Sequence, residues 1–308
     1  MIDKGCDLKL LTNDEDRSKY INSGLVIATA ANGHIDVLEL LFQTGVSVNK
    51  CSSYGKTPLT AAATRGHVAT VAFLLEQGAN INGADATGAS TKNHSCANAD
   101  SDSDDDDKDD WGRHIRFQRR SPLYCAIEAG QGEVAELLIE RGADTSNSCD
   151  GNKSLAELAA KHGLSDIVEQ LVDNENFRFD QVVDGDTLLA SAAGRGHFQS
   201  VRYLLQKGAD VNAKNMSGDT ALTSVLQFAE RRHVLDVVKL LFSFGADINL
   251  KNCRAETPLH LACNRNFDRV AEYLPELGCE TESKNCDYYS PLHHAAEHNN
   301  GKLAEMLF

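Results

Sequence analysis

One segment of this chain returns at a fixed step, and that recurrence limits its fold more than any other feature. From Gly55 to Asn82 the order is Gly55, Thr57, Pro58, Leu59, then Ala62, Ala63, Gly66, His67, then Val71, Leu74, Leu75, Gly78, Ala79, Asn80, Ile81, Asn82. It reads as turn, helix, short turn, helix, loop. Thr57 supplies an N-cap oxygen, and Pro58 takes the first helical position, where its missing N–H and fixed φ cost nothing. Ala62 and Ala63 keep the first helix slim on one side, and Gly66 stands where a left-handed residue closes it. Val71, Leu74 and Leu75 form one apolar face of the second helix, which Gly78 closes in the same way. Two helices this short cannot bury that face alone, so each pair needs a copy on either side.

The copies follow in the sequence. Gly45 to Gly78 is one 33-residue step and Gly245 to Gly278 is another. With Thr257, Pro258, Leu259, His260, Leu261, Ala262 and with Ser290, Pro291, Leu292, His293, His294, Ala295, Ala296, this pattern closely resembles the ankyrin repeat family. The resemblance implies an all-α fold, an ankyrin-repeat solenoid of helix pairs with β-hairpin loops. Residues 1–308 are then a single array of about seven to eight units.

Irregularities along the chain carry their own expectations. Gly5 to Gly45 is forty residues, and the excess is expected in the polar segment Thr12 to Asn22. Gly78 to Gly142 is 64 residues, 31 more than one step, which marks an insertion at about 89–120 in the third unit. In the fourth unit Ser154 and Leu155 replace Thr-Pro and Glu175 replaces the closing Gly, so its helices should persist with a poorer loop. Gly208 to Gly245 is 37 residues, and the four extra, within Gln227 to Arg232, predict about one further turn of the inner helix. Pro275 in the last turn of its helix predicts a kink or a shorter helix. The eighth unit stops at Phe308 within its outer helix, so the chain reads as a fragment of a longer protein.

Composition narrows the function classes. No apolar run approaches the roughly 20 residues that span a bilayer, and no signal segment opens the chain. Nine scattered cysteines without a CxxC pair argue against a disulfide framework and against zinc knuckles, which suits a cytoplasmic or nuclear location. Of the net charge of −15, Asp100 to Asp110 contributes −7 from eight aspartates and one lysine. An acidic chain is poorly suited to nucleic acid, whose affinity comes from Lys and Arg on phosphates.

The insertion 89–120 reads as an acidic, disordered loop, too poor in aliphatic residues to offset the entropy of ordering. It is a solvated spacer or, with Ser101 and Ser103 ahead of acidic residues, a phosphorylation site. His294, Ala295, Ala296, Glu297, His298 fits the H-x-x-E-H zinc pattern, yet its alanines are those of the repeat and no third ligand follows. The histidines His34, His67 and His197 each follow a turn glycine and read as structural. No nucleotide loop or nucleophile elbow is present. The expectation is therefore a non-enzymatic protein-interaction scaffold without catalytic residues, metal, cofactor, small-molecule substrate, nucleic-acid partner or membrane insertion. The resemblance places the ligand on the concave side, at hairpin tips and inner-helix ends: Tyr54, Lys56, Arg65, Lys161, His162, Arg195, Arg254, Arg265, Tyr289 and His298. The alternative is a regulatory segment of a larger enzyme, such as a kinase or ubiquitin-ligase subunit, or of an ion channel.

Overall fold

The structure, a computed structural model, describes residues 15–52, 55–83, 120–145, 154–173, 186–230 and 233–308. Helices are the only regular elements among them, and the chain divides into two units, Met1–Asp150 and Gly151–Phe308. The first holds α1 (Glu15–Ala31), α2 (Ile35–Gln43), α3 (Pro58–Arg65), α4 (Val68–Glu76), α5 (Pro122–Glu128) and α6 (Gly132–Glu140). The second holds α7 (Leu155–His162), α8 (Ser165–Val172), α9 (Leu188–Gly194), α10 (Phe198–Gln206), α11 (Ala221–Phe228), α12 (Val234–Ser243), α13 (Pro258–Asn264), α14 (Asp268–Glu276), α15 (Pro291–Glu297) and α16 (Gly301–Leu307).

Within each unit the odd-numbered helices pack side by side as an inner layer. In the second unit α8, α10, α12, α14 and α16 form an outer layer in the same order. Buried alanines explain the close inner packing: Ala62, Ala63, Ala159, Ala160, Ala192, Ala193 and Ala262 have no exposed surface. Leu74, Leu138, Leu204, Leu241 and Leu274 fill the space behind them, also without exposure, each contributing about 1.5–3 kcal/mol. In the first unit Phe42 of α2 stacks on Phe73 of α4 with ring centroids 6.1 Å apart.

The inner helices α3, α5, α7, α9 and α11 are each started by a side chain. Thr57 Oγ1 accepts from the Thr60 backbone N–H at 3.1 Å while the Thr57 N–H donates to Thr60 Oγ1 at 2.8 Å, and Thr220 with Thr223 repeats the arrangement. Ser121, Ser154 and Thr187 accept from the third helical N–H, and caps of this kind contribute about 1 kcal/mol each. The turn histidines tie neighbours together. His67 Nε2 donates to the Ala31 carbonyl at 2.9 Å, and His197 Nε2 to that of Lys161 at 3.0 Å. Asparagines join successive loops, as where Asn212 Oδ1 accepts from the Asp247 N–H at 2.8 Å and Asn249 Oδ1 from that of Glu280 at 3.0 Å.

Of the irregularities, those of the sixth and seventh units differ from expectation. The excess of the first unit is helical: α1 is 17 residues long and takes up much of the polar segment. The four extra residues of the sixth unit do not lengthen its inner helix: α11 ends at Phe228 after eight residues, and Ala229 is extended at ψ 152°. The extra length therefore lies in the connection to α12. Pro275 does not shorten α14, which keeps nine residues. It removes one bond where the helix is about to end, and Gly278 N–H closes the turn on the Pro275 carbonyl at 2.9 Å. The fourth-unit helices α7 and α8 are present. Tyr54, Ser101, Ser103 and the insertion up to residue 119 lie outside the described residues.

Candidate protein-binding surface

The inner helices end at a register position that sequence comparison picked out. Arg65 in the first unit, and His162, Arg195, Arg265 and His298 in the second, each stand directly before a residue with left-handed φ: Gly66, Gly163, Gly196, Asn266 and Asn299. All five are exposed. The turn that reverses the chain toward the outer helix forces this, because the residue before it sits past the last buried position. Their engagements differ. Arg265 Nη1 donates to the Gln227 carbonyl at 2.6 Å and lies over the Phe267 ring, so it also holds the end of α11. His298 Nε2 lies 3.5 Å from Asn264 Oδ1. Lys161 is half-buried with Nζ 2.7 Å from Glu157 Oε1, which makes it more a strut of α7 than a ligand contact. Lys56 is half-buried at the base of its loop.

Three hairpin loops, or fingers, of the second unit are closed at the base by Asn215 N–H to Asp219 O at 2.9 Å, Asn252 N–H to Glu256 O at 3.1 Å and Asn285 N–H to Tyr289 O at 2.9 Å, and each tip carries a second bond back to the same asparagine's carbonyl. Neighbouring fingers are linked through Cys253 N–H to Ser217 O at 3.1 Å and Cys286 N–H to Arg254 O at 2.9 Å. Arg254 and Tyr289 are exposed on these fingers. Tyr289 is fixed from behind, its ring 5.3 Å from that of His293 and 5.6 Å from that of His294.

Carboxylates at the finger bases are engaged inside the fold. Asp186 accepts from Asn215 Nδ2 at 3.1 Å and from Ser191 Oγ at 3.0 Å, and Glu256 is buried and accepts from Asn252 Nδ2 at 3.0 Å. Asp219 is 3% exposed, and its Oδ1 has no hydrogen-bond partner among the described residues. Burial pushes its carboxyl above the usual range, bonds from Asn252 and Thr223 oppose this, and the charges of Glu256 and Asp186 push it higher still. The finger bases thus hide acid groups while their outer positions display cations.

Sequence reasoning overlooked Tyr288. It occupies the register position of Gly55 and Gly218, has φ +64° and is 78% exposed. A left-handed conformation costs a bulky residue about 1–2 kcal/mol. Tyrosine where the register places glycine was the available signal.

The zinc-like pair does not converge. His294 is buried and T-shaped to His260 at 6.1 Å, whereas His298 is exposed at the helix end. Among the described residues no three His, Cys, Asp or Glu side chains are grouped to hold a metal ion. No helix there is long and apolar enough to cross a membrane.

Paired helices repeated on one register, joined by fingers that tie neighbour to neighbour, define a helical repeat protein of the interaction class. Family models for ankyrin repeats match residues 2–85, 156–249 and 225–308 as three copies of a multi-repeat model, and residues 118–151 as a single repeat. The chain belongs to the ankyrin repeat family, a general protein-interaction module. It is 31% identical over 125 residues to the B-cell lymphoma 3 protein homolog of Mus musculus, covering 40% of this chain and 27% of that protein. It is 34% identical over 106 residues to alpha-latrocrustotoxin-Lt1a of Latrodectus tredecimguttatus, covering 34% of this chain and 7% of that protein. The crystal structure of the human ASB11 ankyrin repeat domain is similar with a TM-score of 0.57 and 25% identity, over 77% of this chain and 90% of that one.

Proposed function

We propose that the chain is a non-enzymatic scaffold that binds an acidic protein partner through its inner-helix ends and finger tips. The observation that carries this reading is the repeated register of exposed cationic or titratable groups, Arg65 in one unit and His162, Arg195, Arg265 and His298 in the other, beside finger carboxylates that are buried. In a chain of net charge −15 such a register is a local exception, and it supplies charge complementarity to an acidic partner. Proteins are favoured over nucleic acid because the rest of the surface repels phosphate. The six described cysteines are free, which supports a reducing intracellular compartment.

Capture from a cell extract with the intact chain and with an Arg65→Glu, Arg195→Glu double variant tests the reading. Acidic proteins recovered by the first should be lost with the second, and recovery of the same set by both would overturn it. A second reading, a regulatory segment of a larger enzyme or channel, is supported by length: the chain spans 27% or less of the curated relatives described above. An open reading frame that continues into a catalytic or membrane segment would establish it.

A further inference from the structure

The finger tips of the second unit combine two features. The first is charge. Residues 214–218, 251–255 and 284–288 carry Lys214, Lys251, Arg254 and Lys284 against the single carboxylate Asp287, a net of +3. Each lysine directly precedes the asparagine that closes its finger, so the three stand in one register row, and all four cations are exposed. Lys214 Nζ donates to the Lys251 carbonyl at 2.9 Å, and Arg254 makes no ion pair among the described residues.

The second feature is exposed apolar bulk. Met216 is 80% exposed and Tyr288 78%, more than any other large apolar side chain described except the terminal Phe308. They flank the finger that carries Arg254. Tyr288 holds its place in a left-handed conformation for which glycine serves in two other fingers. A strained, solvent-facing tyrosine is poorly explained by packing and well explained by contact with another molecule. The backbone bonds between fingers hold the row in place before any ligand arrives.

We propose that this basic, tyrosine-bearing ridge is the docking site for an extended acidic peptide segment of a partner protein. The assignment rests on the protein-binding reading given above and names the partner's chemistry. Charge complementarity selects carboxylates for the lysine row and Arg254, and Met216 and Tyr288 take up large apolar side chains between them. Successive fingers follow helices packed about 8–10 Å apart, and an extended chain advances about 3.3 Å per residue. One finger therefore corresponds to about three residues of the ligand. The expected ligand carries acidic residues at i, i+3 and i+6 with a large apolar residue among them.

A random 12-residue peptide display library selected on the full 308-residue chain tests this, with recovered peptides measured by fluorescence anisotropy. The expected consensus is acidic with three-residue spacing. Arg254→Glu and Tyr288→Gly should each weaken binding about tenfold or more, and raised salt should weaken it further. Tyr288→Gly should also raise the melting temperature, a gain that a purely structural tyrosine would not show. Recovered peptides without acidic residues, or affinities unmoved by both variants, overturn the proposal. Peptides that lose binding with Arg195→Glu yet ignore both tip variants overturn it while leaving the broader reading standing, and acidic peptides indifferent to all three variants remove both. A 20-nucleotide oligo-dT that binds more tightly than any peptide, with the same sensitivity to Tyr288→Gly, would assign the ridge to single-stranded nucleic acid instead.

Discussion

His260 Nε2 donates to the carbonyl of Tyr289, 3.0 Å away in the next finger. Its Nδ1 is 2.7 Å from Thr257 Oγ1 and accepts from the Thr257 N–H at 3.2 Å. One buried imidazole therefore caps its own helix and positions the following finger, including the tyrosine that the finger presents.

His260→Gln should separate these tasks. Glutamine at this position can still complete the capping box but cannot reach Tyr289, and one lost buried bond costs about 1–2 kcal/mol. Burial holds the His260 pKa below its ordinary value, 6.5. The unfolded chain thus takes up a proton first as pH falls, and the contribution of this group to stability, complete above 6.5, declines below it. Denaturant unfolding at pH 7 and pH 5 should show a smaller stability difference for the variant than for the parent. An unchanged pH difference would contradict this account.

Gly163→Ala should destabilise by about 2 kcal/mol or more. Gly163 has φ +70°, and an added Cβ would lie 2.5 Å from His197 Nδ1 and 2.9 Å from its Cγ. The ring cannot withdraw without giving up its bond to the Lys161 carbonyl. Backbone strain and the lost bond then add. Gly208→Ala is the control, since nothing lies within 4 Å of its added Cβ at φ +93°. It should cost only the strain, and equal melting temperatures for the two variants would refute the close-contact argument.

The helix pairs were legible in the sequence because period, N-cap and closing glycine agree in unit after unit, and Thr57, Pro58 and Gly66 do what their chemistry requires. Legibility failed where two physical solutions share one composition. The polar run 12–22 suits a loop or a solvated helix equally, and four extra residues after Gln227 fit a further turn or a longer connection. The site was legible as a register position but not as a set of engagements. Nothing in the sequence says that Arg265 is held by the Gln227 carbonyl or that Lys161 pairs with Glu157. The burial of Asp219 and Glu256 depends on neighbouring fingers and is equally invisible.

Asp219→Asn should stabilise the chain at pH 7 by about 1 kcal/mol, because it removes a buried charge whose Oδ1 is unsatisfied. The folded-state pKa is raised above 3.8 by burial. The proton is therefore bound more tightly in the folded state, and the stability this confers is present below 3.8 and lost as pH rises through the raised value. The parent should gain stability relative to the variant as pH falls from 7 toward 4. Parallel curves of melting temperature against pH for the two proteins would show that Asp219 does not titrate in this range.

The last expectation concerns local stability within the second unit. Ser154 caps α7 by accepting from the Glu157 N–H at 3.1 Å, but Glu157 is paired with Lys161 and no reciprocal bond completes a capping box. α8 ends at Asp173, in right-handed conformation, whose N–H bonds to the Glu169 carbonyl, whereas α10 is followed by left-handed Gly208, with Lys207, Gly208 and Ala209 N–H bonded to the carbonyls of Tyr203, Leu205 and Leu204. The tie from Asp173 to Tyr203 and Lys207 is on the surface, where water and salt weaken it. In a repeat array each unit is stable through its own helices and its neighbours, so a unit with weaker ends opens first. Hydrogen exchange followed by mass spectrometry should show residues 155–172 less protected than residues 188–206. Equal protection of the two helix pairs would mean that burial of Ile167, Val168 and Leu171 outweighs the missing caps.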